Sequence, residues 1–572
     1  MHPDKTIAAS GSMPAKGRSR FVDIYVWEVE TKEIRAHLTG FHRGSIKLLK
    51  FSPDGSKLIS FGEDDDNSLA IYDWENSRLV TTAKVDKAAV LGCAWKNEKE
   101  FVTIGQKHIK MWNLTSNNCS SKRGAWGRGK AEPLLDAVWV GSTCFTGGWK
   151  GSIYPWNGTS VGKAIPAHDC IYTLAQDPSN ESVIYSGGRD GKIKSWTAKG
   201  SSLTLIKEII NLSGICKLEP GIRNLDIFTD GTILAGTKSS ELYKVSKDGK
   251  TTGSFLEGHF GGETWGVCVS KDDKYYATSG DDMVVMKWDV IEKKRVGYYK
   301  HDQMIRAVDW SQDNKYIACG TYTGEVLLIN VSDMTLADKI ASSFTKKTGT
   351  RTEPWIEDLK IAPDSSTIAL GAHAGASKLE LIKIKNGKLC KGRAYNIGFT
   401  SALTHLDWSK DSDFIVANSQ AYELYWASAS TGRTINASAT KGLEWNTWTC
   451  VLGWPVQGIF PGVDGTDVNT VCRNDGGEYM ATGDDFQKVN LFKFPSTGPN
   501  SGHKTYNGHA SHVTGVRFML GDNFLVSTGG NDKTNIIWKT DFGKETEFFK
   551  PEEEVDDEFS DNTGPKATGR DK

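Results

Sequence analysis

The feature that most constrains this chain is a strand-sized motif that returns about every forty residues. Short β-branched and aromatic runs recur as Ile24-Tyr25-Val26-Trp27, Ala70-Ile71-Tyr72-Asp73-Trp74, Ile109-Lys110-Met111-Trp112, Ile153-Tyr154-Pro155-Trp156 and Ile193-Lys194-Ser195-Trp196. Val284-Val285-Met286-Lys287-Trp288, Glu423-Leu424-Tyr425-Trp426 and Asn535-Ile536-Ile537-Trp538 continue the series, and four degenerate copies surround Tyr243, Ile329, Ile384 and Phe492. The run ends are spaced by 47, 38, 44, 40, 47, 45, 41, 55, 42, 66 and 46 residues. A repeat of that length is one small sheet that cannot bury its own faces, so neighbouring repeats must stack to make a core. The 60 Gly suit the tight turns such an arrangement needs.

A second set of residues keeps the same period. His42, His168, His259, His301 and His509 each precede a run-ending position by 28 to 32 residues. Asp190, Asp282 and Asp532 each lie six residues before a Trp, namely Trp196, Trp288 and Trp538. A period near 40–45 with these markers is that of four-stranded WD40-type propeller blades. There a buried His, a turn Asp, a Ser or Thr and the Trp form a network that fixes strand register, because buried polar atoms are costly when unsatisfied. The histidines are therefore read as blade network rather than as metal ligands or general bases.

The fold class expected is all-β: two tandem WD40-type β-propellers with about twelve blades, too many for one ring of four to eight. The division falls in the polar connector Lys247-Asp248-Gly249-Lys250-Thr251-Thr252-Gly253, giving a first propeller over 1–250 and a second over 251–543. The first ring is incomplete at its N-terminal blade, because Trp27 is too close to Met1 for a full preceding blade. Residues 544–572 hold ten acidic and five basic residues and read as an acidic, disordered tail that leaves residues 1–543 at a net charge of +4. The 55-residue spacing holds a basic loop, Phe344-Thr345-Lys346-Lys347-Thr348-Gly349-Thr350-Arg351, read as solvated surface. The 66-residue spacing holds Leu443-Glu444-Trp445-Asn446-Thr447-Trp448 and Gly453-Trp454-Pro455. Three exposed Trp in ten residues would be a liability, so they are expected to pack inside the second ring or at the junction of the rings, with a protein-binding patch as the alternative.

Other classes are disfavoured. The 69 Lys+Arg against 70 Asp+Glu give no basic excess for nucleic acid. No apolar run is long enough for a membrane span, and ten cysteines without a CxxC pair fit a reducing cytosol. Gly124-Ala125-Trp126-Gly127-Arg128-Gly129-Lys130-Ala131 nearly matches a phosphate loop but has Ala where the Mg²⁺-binding hydroxyl belongs. Gly158-Thr159-Ser160-Val161-Gly162 matches a hydrolase elbow without the helix that motif requires. No catalytic residue, cofactor or metal site is assigned, and the chain is read as a non-enzyme.

One ordered series in the second half is more specific than a repeat. It runs Thr404-His405-Leu406-Asp407-Trp408-Ser409, Glu444-Trp445-Asn446-Thr447-Trp448-Thr449-Cys450, Gly458-Ile459-Phe460-Pro461, Asp464-Gly465-Thr466-Asp467-Val468-Asn469 and Thr482-Gly483-Asp484-Asp485-Phe486. This resembles the echinoderm microtubule-associated protein-like family, with weaker similarity back to about His2. The resemblance implies a non-catalytic, cytoplasmic, cytoskeletal protein whose tandem atypical propellers bind tubulin or the microtubule lattice, with ciliary axonemal doublets and other cytoskeletal or axonemal proteins as its setting. Family members usually carry an N-terminal coiled coil and a short hydrophobic motif, and neither is read here. The alternative function is a general WD40 scaffold for a signalling or ubiquitin-ligase complex.

Overall fold

A computed structural model describes residues 1–13, 21–116, 118–127, 129, 131–345, 354–373, 378–460, 468–499 and 501–542. The acidic tail, most of the basic loop, and Arg128 and Lys130 of the phosphate-loop-like segment lie outside the described residues. The chain is nearly all-β and divides into two compact units, Met1–Glu257 and Gly258–Lys572. The first unit holds sheets over residues 7–38, 46–84, 90–123, 134–166, 171–211 and 222–256, here blades 1 to 6. The second holds sheets over 264–300, 305–341, 356–396, 403–435, 468–507 and 513–539, blades 7 to 12. In a full blade four antiparallel strands follow one another in space as in sequence, and they are lettered a to d from the inside outwards.

The division differs from the sequence expectation by a few residues. Thr251–Leu256 pairs with Leu242–Val245 as the outer strand of blade 6, so it belongs to the first unit. The connector that reads as a linker is a turn within a blade.

Burial follows from stacking. The b strand of blade 2, Leu58–Gly62, is buried at all five positions because a neighbouring blade covers each face. Strand d of the same blade, Arg78–Lys84, is half-exposed or exposed throughout. Glycines on the b strands set how closely blades approach. A Cβ on Gly147, Gly187, Gly320, Gly371 or Gly483 would come within 2.4–2.6 Å of an Ile, Leu or Val side chain on strand a of the next blade. No larger residue fits there, so the Gly content reflects inter-blade packing as well as turns.

That close approach identifies the strands of blade 1. A Cβ on Gly11, at the end of Ile7–Gly11, would meet Ile46 of blade 2 at 2.4 Å, which is the position of a b strand. Trp27 Nε1 donates to Ser10 Oγ at 3.2 Å, again a c-to-b bond. The turn His2–Ile7, with His2 N bonded to Ile7 O, repeats the a-to-b turn Ser52–Lys57 of blade 2. Among the described residues blade 1 thus shows strands b, c and d, and Ile7–Gly11 pairs on one edge only. A Cβ on Gly236, on strand b of blade 6, would correspondingly meet only its own blade, Leu242 at 3.3 Å.

The second unit closes on itself. Gly515 of blade 12 packs on Val267 of blade 7, and Thr514 Oγ1 donates to Thr264 O at 2.8 Å. Blade 12 shows three strands among the described residues. Between blades 10 and 11 the ring contains an extra element. At one end His405 Nε2 lies 3.0 Å from Asn469 O, joining the two inner strands directly. At the other end the segment 445–452 wedges between them. Ser409 bridges to Trp445, Arg473 N donates to Trp448 O at 3.2 Å, and the Asp407 carboxylate accepts from Thr449 N at 2.6 Å and Cys450 N at 2.9 Å. The same inter-blade bond is made by Asp309 to Ile361 N at 2.7 Å between blades 8 and 9. The insert therefore acts as a seventh inner stave. Trp448, Cys450, Val456 and Ile459 fill the space it opens, while Trp454 is 66% exposed. The tryptophan-rich segment packs within the second ring, though not with all three indoles.

Candidate functional site

Three blades carry complete polar networks. In blade 7, His259 Nδ1 lies 2.8 Å from Asp282 Oδ2, His259 Nε2 lies 2.8 Å from Thr278 Oγ1, and Trp288 Nε1 donates to the same Oγ1 at 2.8 Å. In blade 5, His168 bridges Asp190 at 3.0 Å and Ser186 at 2.8 Å, and Trp196 donates to Ser186 at 2.8 Å. In blade 12, His509 joins Asp532 at 3.1 Å and Ser527 at 2.7 Å, with Trp538 on Ser527 at 2.8 Å. These groups tie the d-to-a loop, strand b, the b-to-c turn and strand c together.

Elsewhere the pattern is altered. His42 bonds Ser60 at 2.7 Å, but Tyr72 rather than Trp74 fills the aromatic position, and Trp74 Nε1 instead donates to Gly55 O at 2.7 Å. Burial, only partly offset by Asp64, brings the His42 pKa down to about 4. His301 stands outside any such network: Cys319 and Ile329 occupy the hydroxyl and aromatic positions of blade 8, and its ring lies 3.1 Å from Asp302. In blade 3 the loop residues are exchanged, a feature the histidine spacing could not reveal. Asp86 sits before strand a and His108 in the b-to-c turn, 3.9 Å apart, while Trp112 donates to Thr103 at 2.9 Å. Burial lowers the His108 pKa to about 4 against the pull of Asp86. In blade 4 the buried Glu132 replaces the imidazole and accepts from Tyr154 Oη at 2.6 Å.

The imidazoles of the three complete networks are buried. Among the described residues no three His, Cys, Asp or Glu are grouped to hold a metal ion, and no helix is long and apolar enough to cross a membrane. Ser160 of the elbow-like motif lies on a short strand paired with Asn157, not at the head of a helix. The nine buried cysteines have no disulfide partner, and burial raises thiols such as Cys268 to about 12.

The concave feature of the second unit is its central channel. An upper cavity of about 600 Å³ and a lower one of about 140 Å³ share two lining residues, Lys360 and Arg517. These belong to one layer of the inner strands, Cys268, Asp309, Lys360, Asp407, Cys472 and Arg517, each opposite an Ala or Val of its own b strand. The Lys360 ammonium lies 3.6 Å from Asp358, a partly buried carboxyl whose pKa is raised by desolvation.

The mouth of the channel is built by a bulge at the start of each inner strand, where an extra residue turns towards the axis. Arg306 lies 4.3 Å from the ring centre of Trp265, 4.8 Å from Trp355 and 5.5 Å from Tyr322, and its guanidinium is 3.6 Å from Asp281. Trp355 stacks on His373 at 3.8 Å, and His373 is 3.4 Å from Glu357. The Arg306 cation already occupies the aromatic cage, although its Nε has no hydrogen-bond partner among the described residues. Around it Tyr422 is 71% and Phe486 56% exposed, on the b-to-c turns of blades 10 and 11. A polar-centred face with projecting aromatic side chains has the character of a protein-contact surface.

Comparison with known proteins agrees with this architecture. Sequence models of the first and second β-propellers of echinoderm microtubule-associated protein match residues 1–245 and 264–540. The 77 kDa echinoderm microtubule-associated protein of Strongylocentrotus purpuratus is 28% identical over 94% of this chain and 78% of its own length. Echinoderm microtubule-associated protein-like 2 of Homo sapiens is 28% identical over 94% of this chain and 82% of its own length. Echinoderm microtubule-associated protein-like 1 of Homo sapiens is 27% identical, and this chain spans 66% of it. The two propellers, matched in order and along almost their whole length, place this chain in the echinoderm microtubule-associated protein family.

Proposed function

We propose that this protein is a non-catalytic microtubule-associated protein that contacts tubulin directly through its propellers, with the channel mouth of the second propeller as the contact face. The supporting observation is the exposed pair Tyr422 and Phe486 around the rigid Arg306 cluster, in a chain whose relatives are named for microtubule association. Such a face is preformed and has the character of a standard interface of about 800 Å² per partner. A net charge of +4 over residues 1–543 steers the chain only weakly towards an acidic surface, so binding rests on shape and aromatic contact rather than on bulk charge. A stable lattice such as an axonemal doublet repeats the tubulin surface and so supplies multivalency from the partner's side.

The test is co-sedimentation with taxane-stabilised microtubules at low and raised salt. Wild-type chain pellets in both, and the double variant Tyr422→Ala/Phe486→Ala pellets at least about tenfold more weakly, the scale expected when two aromatic side chains are removed from an interface. Folded wild-type chain left in the supernatant overturns direct lattice binding. Pelleting that the double variant retains moves the contact to another face. For the axonemal setting, expression confined to non-ciliated cells is the refuting result.

A further inference from the structure

The wedge between blades 10 and 11 leaves a second concavity that the channel does not explain. It opens at the opposite end of the inner strands from the mouth, beside the a-to-b turns that hold Lys410 and Gly477. Its volume is about 950 Å³, and its walls are largely apolar, including Leu424, Trp426, Leu443, Trp448, Trp454 and Phe494. Two buried donors line it without a hydrogen-bond partner, Trp448 Nε1 and Arg473 Nε. Trp448 is only 5% exposed, its indole forming part of the cleft wall. Arg473 is held by a bond from Nη2 to Trp445 O at 3.1 Å and lies 5.7 Å from the Phe494 ring, which fixes its guanidinium in the floor. An unmade bond on a buried donor is expensive, and buried groups of this kind are ordinarily paired. At the rim Lys410 is neutralised by Glu444 at 2.7 Å and the exposed Lys441 stands beside the cleft, while Arg473 and Asp475 line both this cleft and the lower channel cavity. Trp454, two-thirds exposed, overhangs the apolar wall.

We propose that this cleft is a docking site for an extended segment of a partner protein that presents a large apolar side chain next to a carboxylate. The apolar side chain fills the space between Trp426, Trp448 and Trp454. The carboxylate accepts from Arg473 Nε and Trp448 Nε1, close to Lys441. The volume exceeds what one side chain fills, so flanking backbone enters as well. This inference is independent of the tubulin contact, which lies at the other end of the channel.

The test uses the full chain labelled with 5-fluorotryptophan and two small probes, indole-3-propionate and its uncharged primary amide. The acid is expected to shift the Trp448 and Trp454 fluorine signals at millimolar concentration, the range for a fragment of its size, and the amide to need at least about fivefold more because it lacks the charge. Trp454→Ala, which removes an exposed side chain, is expected to weaken acid binding about tenfold with an unchanged melting temperature. Arg473→Lys keeps a charge but removes Nε and is expected to abolish the preference for acid over amide. A displayed library of random dodecapeptides selected on the chain should enrich Asp or Glu beside Trp, Phe or Leu and lose that enrichment on Trp454→Ala. The proposal is overturned by unshifted fluorine signals, by equal binding of acid and amide, or by enriched peptides that bind Trp454→Ala equally well. Concentration-dependent self-association that Trp454→Ala removes would make a second copy the occupant and overturn it also.

Discussion

Asp407 is the residue on which the seventh stave depends, and its removal is a quantitative test of that architecture. The side chain is fully buried on strand a of blade 10 and accepts from Thr449 N, Cys450 N, and the hydroxyls of Thr447 and Thr449. Asp407→Ala leaves two buried backbone N–H groups unpaired, each costing about 1–3 kcal/mol, so about 4 kcal/mol is lost in all. At about 2.1 cal/mol/K per residue, roughly 270 ordered residues give an unfolding entropy of about 0.6 kcal/mol/K and a drop in melting temperature of about 7 °C. Both amides donate to Oδ2, so Asp407→Asn with its carbonyl in that place keeps both bonds and should lose less than about 2 kcal/mol. Differential scanning calorimetry measures the shift, and hydrogen exchange at Thr449 and Cys450 shows whether the loss is local. A variant melting within about 2 °C of wild type, with those amides still protected, would refute the role assigned to Asp407.

Three further outcomes follow from the same packing and bonding. Thr278→Val preserves volume but strands His259 Nε2 and Trp288 Nε1, so the urea midpoint should fall by an amount equal to about 2–4 kcal/mol. Gly320→Ala places a Cβ 2.4 Å from Ile356 and should cost the second propeller about 2–3 kcal/mol, whereas Gly236→Ala, which meets a flexible Leu242 at 3.3 Å, should cost the first propeller less than about 1 kcal/mol. His42 and His108 both have folded pKa values of about 4 against 6.5 unfolded, so between pH 6.5 and 4 the unfolded chain binds more protons and the first propeller loses stability as pH falls. Each histidine contributes about 2 kcal/mol of that loss by pH 5. Thermal melts across that window check it, and substituting Gln at both positions should flatten the profile.

The repeat was legible because one aromatic position on strand c faces the same polar site in blade after blade. Its chemistry was less so. The spacing of histidines marks the d-to-a loop but not which side chains oppose it, and His301 keeps the spacing while Cys319 and Ile329 remove the partners. Trp74 ends its run in sequence, yet Tyr72, two residues earlier, holds the network position. The exchange of Asp86 and His108 preserves the pairing of a carboxylate with an imidazole while reversing its order, which a one-directional search misses. The channel mouth was not legible at all, because Trp265, Arg306 and Trp355 come from three blades and meet only when the ring closes.

The two rings differ in how they treat the place where regular blade packing is interrupted, and the difference explains where the binding surfaces arise. In the second ring the interruption is filled from within, by a segment without periodicity that borrows an inter-blade bond used elsewhere, Asp407 to Cys450 in place of Asp309 to Ile361. A segment that satisfies the inner strands cannot also supply three outer strands, so the space outside the stave is closed by indole rings rather than by a sheet. Blades 5, 7 and 12 bury their polar groups in repeated networks, and a wedge of side chains has no such pattern to complete. The unpaired donors of Trp448 and Arg473 lie in the wall where the chain departs furthest from its repeat.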